Sequence, residues 1–295
     1  MSSTPKSEEI QIGIIGGSGL YDFEALTDVR RVHTSTPYGD PSDSLVIGSL
    51  EGVRVAFIPR HGRNHQITPT NIPSRANIYA LKSLGARAVV GVSAVGSLRE
   101  DFAPGDLVIP DQIVDRSRGH RADTFFEGNT VVHVPFGEPF CGTIRPSLIE
   151  AARSRISANV HKTGTYCCIE GPQFSTRAES ELYRAWGMDV IGMTALPEAK
   201  LAREAELCYT GIALVTDYDC WRAGHEDVSA DEVAEVMKSN TAAAKETLLG
   251  LLKDFDVDTR CSCQYSLSTS IITPIDTLRS SVSRHDDWLV RKYVR

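Results

Sequence analysis

The stretch IQIGIIGG, residues 10–17, decides the fold. It is rich in β-branched residues and ends in two glycines, which is typical of a buried strand that enters a turn. RAVVGVSAVG (87–96) and CYTGIALVTDY (208–218) have the same character. Segments with the apolar spacing of helices lie between such strands. This alternation predicts an α/β fold with a central, largely parallel sheet.

Further strands and helices follow from the same patterns. Segments 44–50 and 53–59 flank Glu51-Gly52, which indicates a β-hairpin. Shorter strands are predicted at 163–171 and 189–193, and helices at 73–84, 145–156, 176–186, from about 194 to 206, and at 229–253. In sheets of this kind ligands bind beyond the carboxyl ends of the strands, so we expect the functional residues there.

Composition excludes several classes of function. The formal net charge is −7, and no cluster of Lys and Arg of the kind that neutralises nucleic-acid phosphates is present. No apolar run reaches the eighteen or so residues that a membrane helix needs. The start, MSSTPKSEE, lacks the apolar core of a signal peptide, so we expect residues 1–9 to be a disordered arm and the protein to be cytoplasmic.

The seven cysteines are expected to be reduced, buried thiols. Cys261 and Cys263 are one residue apart, but no His or further Cys nearby in the sequence completes a zinc-binding set. We therefore expect no metal.

Two strand ends carry residues suited to an anion. Gly16-Gly17-Ser18-Gly19 follows the first strand, where consecutive glycines let backbone N–H groups face an anion and Ser18 adds a hydroxyl. Arg60 and His61 follow the second hairpin strand and offer a guanidinium fork and one further donor. The alternatives are a tight strand-to-helix turn and a solvated loop.

Two more strand ends offer hydroxyl groups. Ser93 and Ala94 lie at the end of the strand 87–96, and Thr194 follows the strand 189–193. No carboxylate of the kind that binds Mg²⁺ accompanies these donors. Free phosphate, used as a substrate, therefore fits better than a nucleoside triphosphate.

Asp217 and Asp219 end the apolar strand 208–218. Their i, i+2 spacing directs both carboxyl groups to one side if the chain stays extended. Two crowded carboxylates cannot both ionise easily, so one pKa should rise. A protonated acid could then donate to N7 of a purine while its neighbour accepts from a 6-amino group. The alternative is a helix N-cap with a surface acid.

These residues lie in strings that resemble the 5′-methylthioadenosine phosphorylases of the trimeric purine nucleoside phosphorylase superfamily. The strings are IGIIGGSGLYD (12–22), TPYGDPSD (36–43), RHGRNH (60–65), ANIYALK (76–82), GSLRED (96–101), PGDLVIPDQ (104–112), EGPQFSTRAES (170–180), MTALPEAKLARE (193–204) and TDYDCW (216–221). The resemblance implies one α/β domain over residues 10–275, with a central mixed β-sheet flanked by helices. Residues 276–295 form a C-terminal tail that the resemblance does not cover and whose role it leaves unknown.

The resemblance also assigns site residues. It implies a phosphate site of Ser18, Arg60, His61, Ser93, Ala94 and Thr194, and a nucleoside site of Phe174, Ser175, Met193, Asp217, Asp219 and Val233. His133 and Ile272 fall where a neighbouring subunit would help to enclose the 5′ group. Asp217 and His61 are the expected catalytic residues.

The implied reaction is phosphorolysis of 5′-methylthioadenosine to adenine and 5-methylthioribose 1-phosphate. It needs no cofactor, because inorganic phosphate is the second substrate, and the implied assembly is a homotrimer or a hexamer. The alternatives are a 6-oxopurine nucleoside or methylthioinosine phosphorylase, a hydrolase, and a non-catalytic nucleoside-binding protein.

The sequence departs from the family pattern at several positions. Ser93 replaces a Thr, which keeps the hydroxyl and should matter little. Gly192 replaces an Asn, so one polar contact to the nucleoside is expected to be missing. Ala230 and Ala234 are smaller than usual, which predicts a roomier 5′ pocket. Cys261-Ser-Cys263 resembles a pair that can be oxidised in heat-adapted relatives.

Overall fold

The fold is organised around one long central strand, β5 (Ala88–Ser97), in a computed structural model of the chain. The described residues are 9–21, 23–127, 130–222, 230–256, 259–274, 276–278 and 287–294, and the side chains at 18, 21, 230–235, 287, 291 and 294 fall outside the description. β11 (Cys208–Asp217) pairs with β5 in parallel along its whole length. On its other side β5 pairs first with β1 (Ile12–Gly16) and then with β10 (Val190–Gly192).

The sheet is mixed, as the family resemblance implies. Its main path runs β2-β3-β4-β1-β5-β10-β9-β7, and β11 carries β6 and then β8. The remaining strands are β2 (Thr27–Val32), β3 (Leu45–Leu50), β4 (Val53–Pro59), β6 (Leu107–Val108), β7 (Gln112–Asp115), β8 (Val160–His161) and β9 (Thr165–Cys168). The predicted hairpin joins β3 and β4, and positive φ angles at Glu51 and Gly52 give it a turn that suits the strand twist.

Helices cover both faces of the sheet. They are α1 (Ser74–Ser83), α2 (Ile144–Arg155), α3 (Arg177–Ala185), α4 (Glu198–Glu204), α5 (Ala230–Lys253) and α6 (Asp287–Val294). α1 and α4 pack in one apolar core, and α2 and α5 pack in the other. Alternate side chains of β5 enter the two cores: Val89 lies in the first, and Val90 in the second.

The described part of the predicted tail is folded. Leu289 and Val290 of α6 are buried in the core that holds α1. The Trp288 indole contacts the rings of Tyr79 and Phe125 edge-on. This helix therefore belongs to the same packed body, although the boundary near residue 275 stays a prediction.

None of the helices in the described ranges has the length and apolar character needed to cross a bilayer.

Candidate active site

The carboxyl ends of β1, β4, β5 and β11 meet at one edge of the sheet, because these strands run parallel to their neighbours. The sequence predicts a largely parallel sheet, but β10 runs antiparallel to β5. β10 pairs in parallel with β9, and the crossover helix α3 connects these two strands. β10 therefore carries the residues that follow it, Met193 and Thr194, back along β5.

At the centre of this edge the surface of the sheet is accessible at Ser93 and Ala94, and we call this accessible surface the open floor. Ala94, in the middle of a central strand, is exposed, and Ser93 beside it is half-buried. Such exposure is unusual for the centre of an α/β sheet, where helices cover both faces. The sheet is thus uncovered at the two residues that the sequence predicts to bind phosphate.

The glycine loop ends β1 as predicted. Gly16 is required by a close approach, because a Cβ there would lie 2.2 Å from Leu20 Cδ1. The Arg60 backbone N–H donates to the Gly16 carbonyl at 2.8 Å, which places the loop beside the end of β4. The Ser18 side chain lies outside the description, so its predicted contact with phosphate stays a prediction.

Most N–H groups of the Arg60 guanidinium are used in hydrogen bonds to other groups of the protein. Its Nε and Nη2 donate to the Glu198 carboxylate at 2.5 and 3.1 Å, and Nη1 and Nη2 donate to the carbonyls of Val92 and Ile15. Burial opposes the charge, but the Glu198 carboxylate raises the pKa of Arg60 above its ordinary value. Of the five guanidinium N–H groups, one is left for a ligand. The two-pronged phosphate contact expected from the sequence is not available in this arrangement.

Glu198 was missed by the sequence reasoning. It is 1% exposed and also accepts from the Tyr209 hydroxyl at 3.1 Å. A carboxylate this deeply buried requires a partner, and Arg60 supplies it. The available signal was acidic residues on the buried face of the short helix α4, where both Glu198 and Glu204 are buried.

His61 is neutral and oriented by the backbone. Its Nδ1 lies 2.8 Å from the Ile67 carbonyl, and its ring stacks on that of His65. Burial lowers the pKa of His61 to about 4. Because a carbonyl can only accept, Nδ1 carries the proton and Nε2 is left as an acceptor. The donor role expected for His61 is therefore replaced by an acceptor role at neutral pH.

Tyr166 is a second group that the sequence reasoning missed. Its hydroxyl is buried beside the Ser93 and Thr194 side chains, without a hydrogen bond of regular geometry to any residue in the described ranges. Burial raises its pKa to about 12, so the phenol keeps its proton. Gly192 makes room for it, because a Cβ there would lie 2.1 Å from the hydroxyl oxygen.

Asp217 and Asp219 lie together, but not on an extended chain. β11 has an irregular register at Val215/Asp217, and the chain then enters a 3₁₀ turn in which Asp219 has a φ of 50°. The Asp217 carboxylate accepts from the Asp219 backbone N–H at 2.8 Å and from the Thr216 hydroxyl at 2.7 Å. Asp217 thus closes an Asx-type turn before the 3₁₀ helix, whose N-cap is Tyr218, and its carboxylate lies beside Gly96.

The expected rise in pKa falls on Asp219. This residue is 7% exposed, and its Oδ2 has no hydrogen-bond partner of regular geometry among the described residues. Burial first, and the neighbouring Asp217 charge after it, raise the pKa of Asp219 to about 6. Asp219 therefore holds a proton more readily than an ordinary aspartate does.

The predicted nucleoside wall is close to this acid pair. Phe174 is 51% exposed, and the Cys220 thiol donates to the carbonyl of Ser175 at 3.2 Å, which ties this loop to the residue after Asp219. The Met193 sulfur packs against Gly171, and a Cβ at Gly171 would lie 2.4 Å from it. Arg121, also missed from sequence, donates to the Met193 carbonyl at 2.6 Å and fixes that segment.

The remaining predicted residues lie elsewhere or outside the description. His133 and Ile272 lie in two segments that pair through the bridge Val132↔Ile271. Both are exposed, and Ile272 has 60% of its surface accessible. The Val233 side chain and those of Ala230 and Ala234 lie outside the described set, so their roles stay predictions.

The residues best suited to hold a metal lie at the opposite end of β11. The Sγ atoms of Cys141, Cys208, Cys261 and Cys263 all lie within 4.8 Å of one another, and all four residues are buried. The sequence analysis found only the pair at 261 and 263, because the other two are more than fifty residues away in the chain.

Known proteins share this architecture and sequence. The chain matches the Phosphorylase superfamily over residues 11–253. An S-methyl-5′-thioadenosine phosphorylase of Geobacter sulfurreducens is 50% identical, with 96% of this chain and 99% of the relative covered. One from Thermofilum pendens is also 50% identical, with coverages of 90% and 100%.

Solved structures agree with these relatives. A methylthioadenosine phosphorylase from an antarctic soil metagenomic library has a TM-score of 0.89 and 44% identity, with 96% of this chain and 98% of that one covered. The methylthioadenosine phosphorylase of Schistosoma mansoni, in complex with adenine, has a TM-score of 0.83 and 37% identity, with coverages of 90% and 99%. By sequence and by structure, this chain belongs to the phosphorylase superfamily and to its methylthioadenosine phosphorylases.

Proposed function

We propose that the chain catalyses phosphorolysis of S-methyl-5′-thioadenosine. A phosphate oxygen bonds to C1′ of the ribose, the C1′–N9 bond breaks, and adenine leaves with its electron pair and takes a proton. The products are adenine and 5-methylthioribose 1-phosphate. The observation that carries this proposal is the uncovered floor at Ser93 and Ala94, which has the acid pair of β11 on one side and Thr194 on the other.

The phosphate side supplies donors and a preorganised backbone. The Ser93 and Thr194 hydroxyls bind phosphate oxygens. Arg60 links β1 and β5 through its bonds to Ile15 and Val92 and has one remaining N–H. Nε2 of neutral His61 accepts a hydrogen bond from a protonated phosphate oxygen. Fixed donors of this kind favour the charge of the transition state without reorganising during the reaction.

The base side supplies the proton. Asp219, with its raised pKa, is protonated in a larger fraction of molecules than an ordinary aspartate. It donates to N7 as adenine gains negative charge, while ionised Asp217 accepts from the 6-amino group. This division exchanges the roles that the sequence alone suggested.

One assay separates the candidate functions. Turnover of methylthioadenosine, adenosine, inosine and guanosine is measured with and without inorganic phosphate, and the sugar product is identified. We expect methylthioadenosine to be preferred and turnover to require phosphate. Preference for inosine would indicate a 6-oxopurine phosphorylase, free sugar without phosphate a hydrolase, and binding without products a silent nucleoside-binding protein.

We also propose that the active form is a homotrimer. Ile272 and the neighbouring Val131 are large apolar residues with 60% and 45% exposure on adjacent segments, together with His133. A subunit interface would cover them and bring them to the 5′ group of a neighbouring site. The mass in solution, measured by light scattering, should be three times the 32.2 kDa of the chain.

A further inference from the structure

Four cysteines from three distant parts of the chain converge at the amino end of β11. Cys208 begins that strand, Cys141 lies just before α2, and Cys261 and Cys263 flank one residue of a short 3₁₀ helix. Their sulfur atoms lie within 4.8 Å of one another, and those of Cys141 and Cys261 are 3.4 Å apart. Four thiolates around a tetrahedral zinc ion, with Zn–S bonds of about 2.3 Å, would be about 3.8 Å apart. The cluster therefore needs only small shifts to hold an ion.

A hydrogen-bond donor also lies beside the cluster. The Thr143 hydroxyl donates to the Cys261 sulfur at 3.4 Å. Donors in this position stabilise and orient metal-bound thiolates.

The cluster is also accessible to an ion. A cavity of about 130 Å³ is lined by Cys208 and Cys261 together with Thr143 and Gln264. Soft thiolate sets select zinc and other thiophilic ions over Mg²⁺ or Ca²⁺. We propose that Cys141, Cys208, Cys261 and Cys263 form a structural zinc site that joins the segment after α5 to the start of β11.

The proposal is independent of catalysis, because Asp217 ends the extended strand that Cys208 begins, about 30 Å away. The full chain is purified under reducing conditions without chelator, and its zinc is measured by elemental mass spectrometry. We expect one zinc per chain, its loss in Cys261→Ser and Cys263→Ser, and its retention in Cys167→Ser, a buried thiol outside the cluster. Removal of zinc by a chelator should lower the melting temperature, and zinc should restore it, with kcat unchanged.

Two results would overturn the zinc site. One is a wild-type protein that holds no stoichiometric zinc either as purified or after reduced protein is refilled with Zn²⁺ and dialysed. The other is an intact mass under non-reducing conditions that shows these four cysteines joined as disulfides. Both measurements use the wild-type chain, so they stand even if a serine variant fails to fold.

A different observation carries a second inference, which rests on the proposed phosphate site. The Tyr166 hydroxyl is buried, keeps its proton, and has no hydrogen bond of regular geometry among the described residues. It lies beside Ser93 and Thr194, in the space that a side chain at position 192 would fill. We infer that this hydroxyl donates to the bound phosphate.

Tyr166→Phe removes only the hydroxyl. A hydrogen bond to a charged group is worth about 1.5–3 kcal/mol, so we expect the KM for phosphate to rise about tenfold or more, with little change in the KM for the nucleoside. Tyr183→Phe, another buried tyrosine outside the site, should leave both unchanged. If Tyr166 had only a structural role, Tyr166→Phe would change the KM for phosphate and the KM for the nucleoside together.

Ser93→Ala distinguishes failure of this inference from failure of the phosphate site. If Ser93→Ala raises the KM for phosphate and Tyr166→Phe does not, the role of Tyr166 is refuted and the site stands. If neither variant changes the KM for phosphate, the phosphate site is assigned to the wrong residues, and the inference about Tyr166 is refuted as well.

Discussion

At the scale of single residues, Asp219 couples stability to function. Its carboxyl group is buried and its pKa is raised from 3.8 to about 6, so the folded state holds a proton more tightly than the unfolded state. The stability from this proton is complete below the unfolded pKa and is lost as pH rises through about 6. At pH 7.5 the folded protein therefore carries an unfavourable buried charge.

Asp219→Asn removes that charge and the proton that catalysis needs. At pH 7.5 we expect the variant to be more stable than wild type by up to about 3 kcal/mol, since each pKa unit corresponds to about 1.4 kcal/mol. The kcat for methylthioadenosine should fall by about 10²-fold or more. Urea unfolding at pH 5 and 7.5, with turnover measured in parallel, checks both. Equal stability gains at the two pH values would argue against a raised pKa.

His61 gives a second prediction about one residue. Its pKa of about 4 means that the ring is neutral in the folded protein and charged in the unfolded protein between about pH 4 and 6.5. Its contribution to stability is complete above the unfolded pKa and is lost as pH falls through the folded one. In an NMR titration the His61 ring should keep the shifts of a neutral imidazole with the proton on Nδ1 down to about pH 5. A midpoint near 6.5 would show that burial does not lower the pKa of His61.

At the scale of elements, the end of β5 must be free of side-chain bulk. A Cβ at Gly96 would lie 2.9 Å from Asp217 Oδ1 and 3.1 Å from Ile191 Cγ2. Gly96→Ala should therefore displace the carboxylate and lower kcat/KM for the nucleoside by about tenfold or more, because small displacements of positioned groups cost that much. Gly142→Ala, where a Cβ meets open space, is the control. Equal kinetics for the two variants would show that Asp217 does not need this approach.

The elements also show where sequence patterns suffice. The strands at 12–16, 88–97 and 208–217 and the helix at 230–253 are long and strongly patterned, and the structure has them close to the expected places. β6, with two residues, is too short to show a period, and β2 is an exposed edge strand with arginines and an aspartate. Such strands are set by their neighbours rather than by their own residues.

The candidate site was predictable in its residue types but not in their partners. Motifs marked Arg60 and Asp217, whereas Glu198, Arg121 and Tyr166 act through contacts between residues far apart in the chain. The backbone turn that buries Asp219 depends on a positive φ that the string TDYD does not signal. Pairing over long sequence distances requires the fold.

At the scale of the whole molecule, the exposed residues Val131 and Ile272 test whether one chain alone forms a complete active site. If an interface covers them, Ile272→Asp places a charge in a buried apolar contact, which costs several kcal/mol and should dissociate the assembly. We expect a monomeric mass by light scattering and an unchanged circular dichroism spectrum. Because the partner would enclose the 5′ group, the substitution should also raise the KM for methylthioadenosine more than it raises the KM for adenosine. Val29→Asp, at a valine that is 55% exposed on the edge strand β2, should change none of these. A variant at 272 that remains assembled and keeps its substrate preference would place the interface elsewhere, and each site would then be complete within one chain.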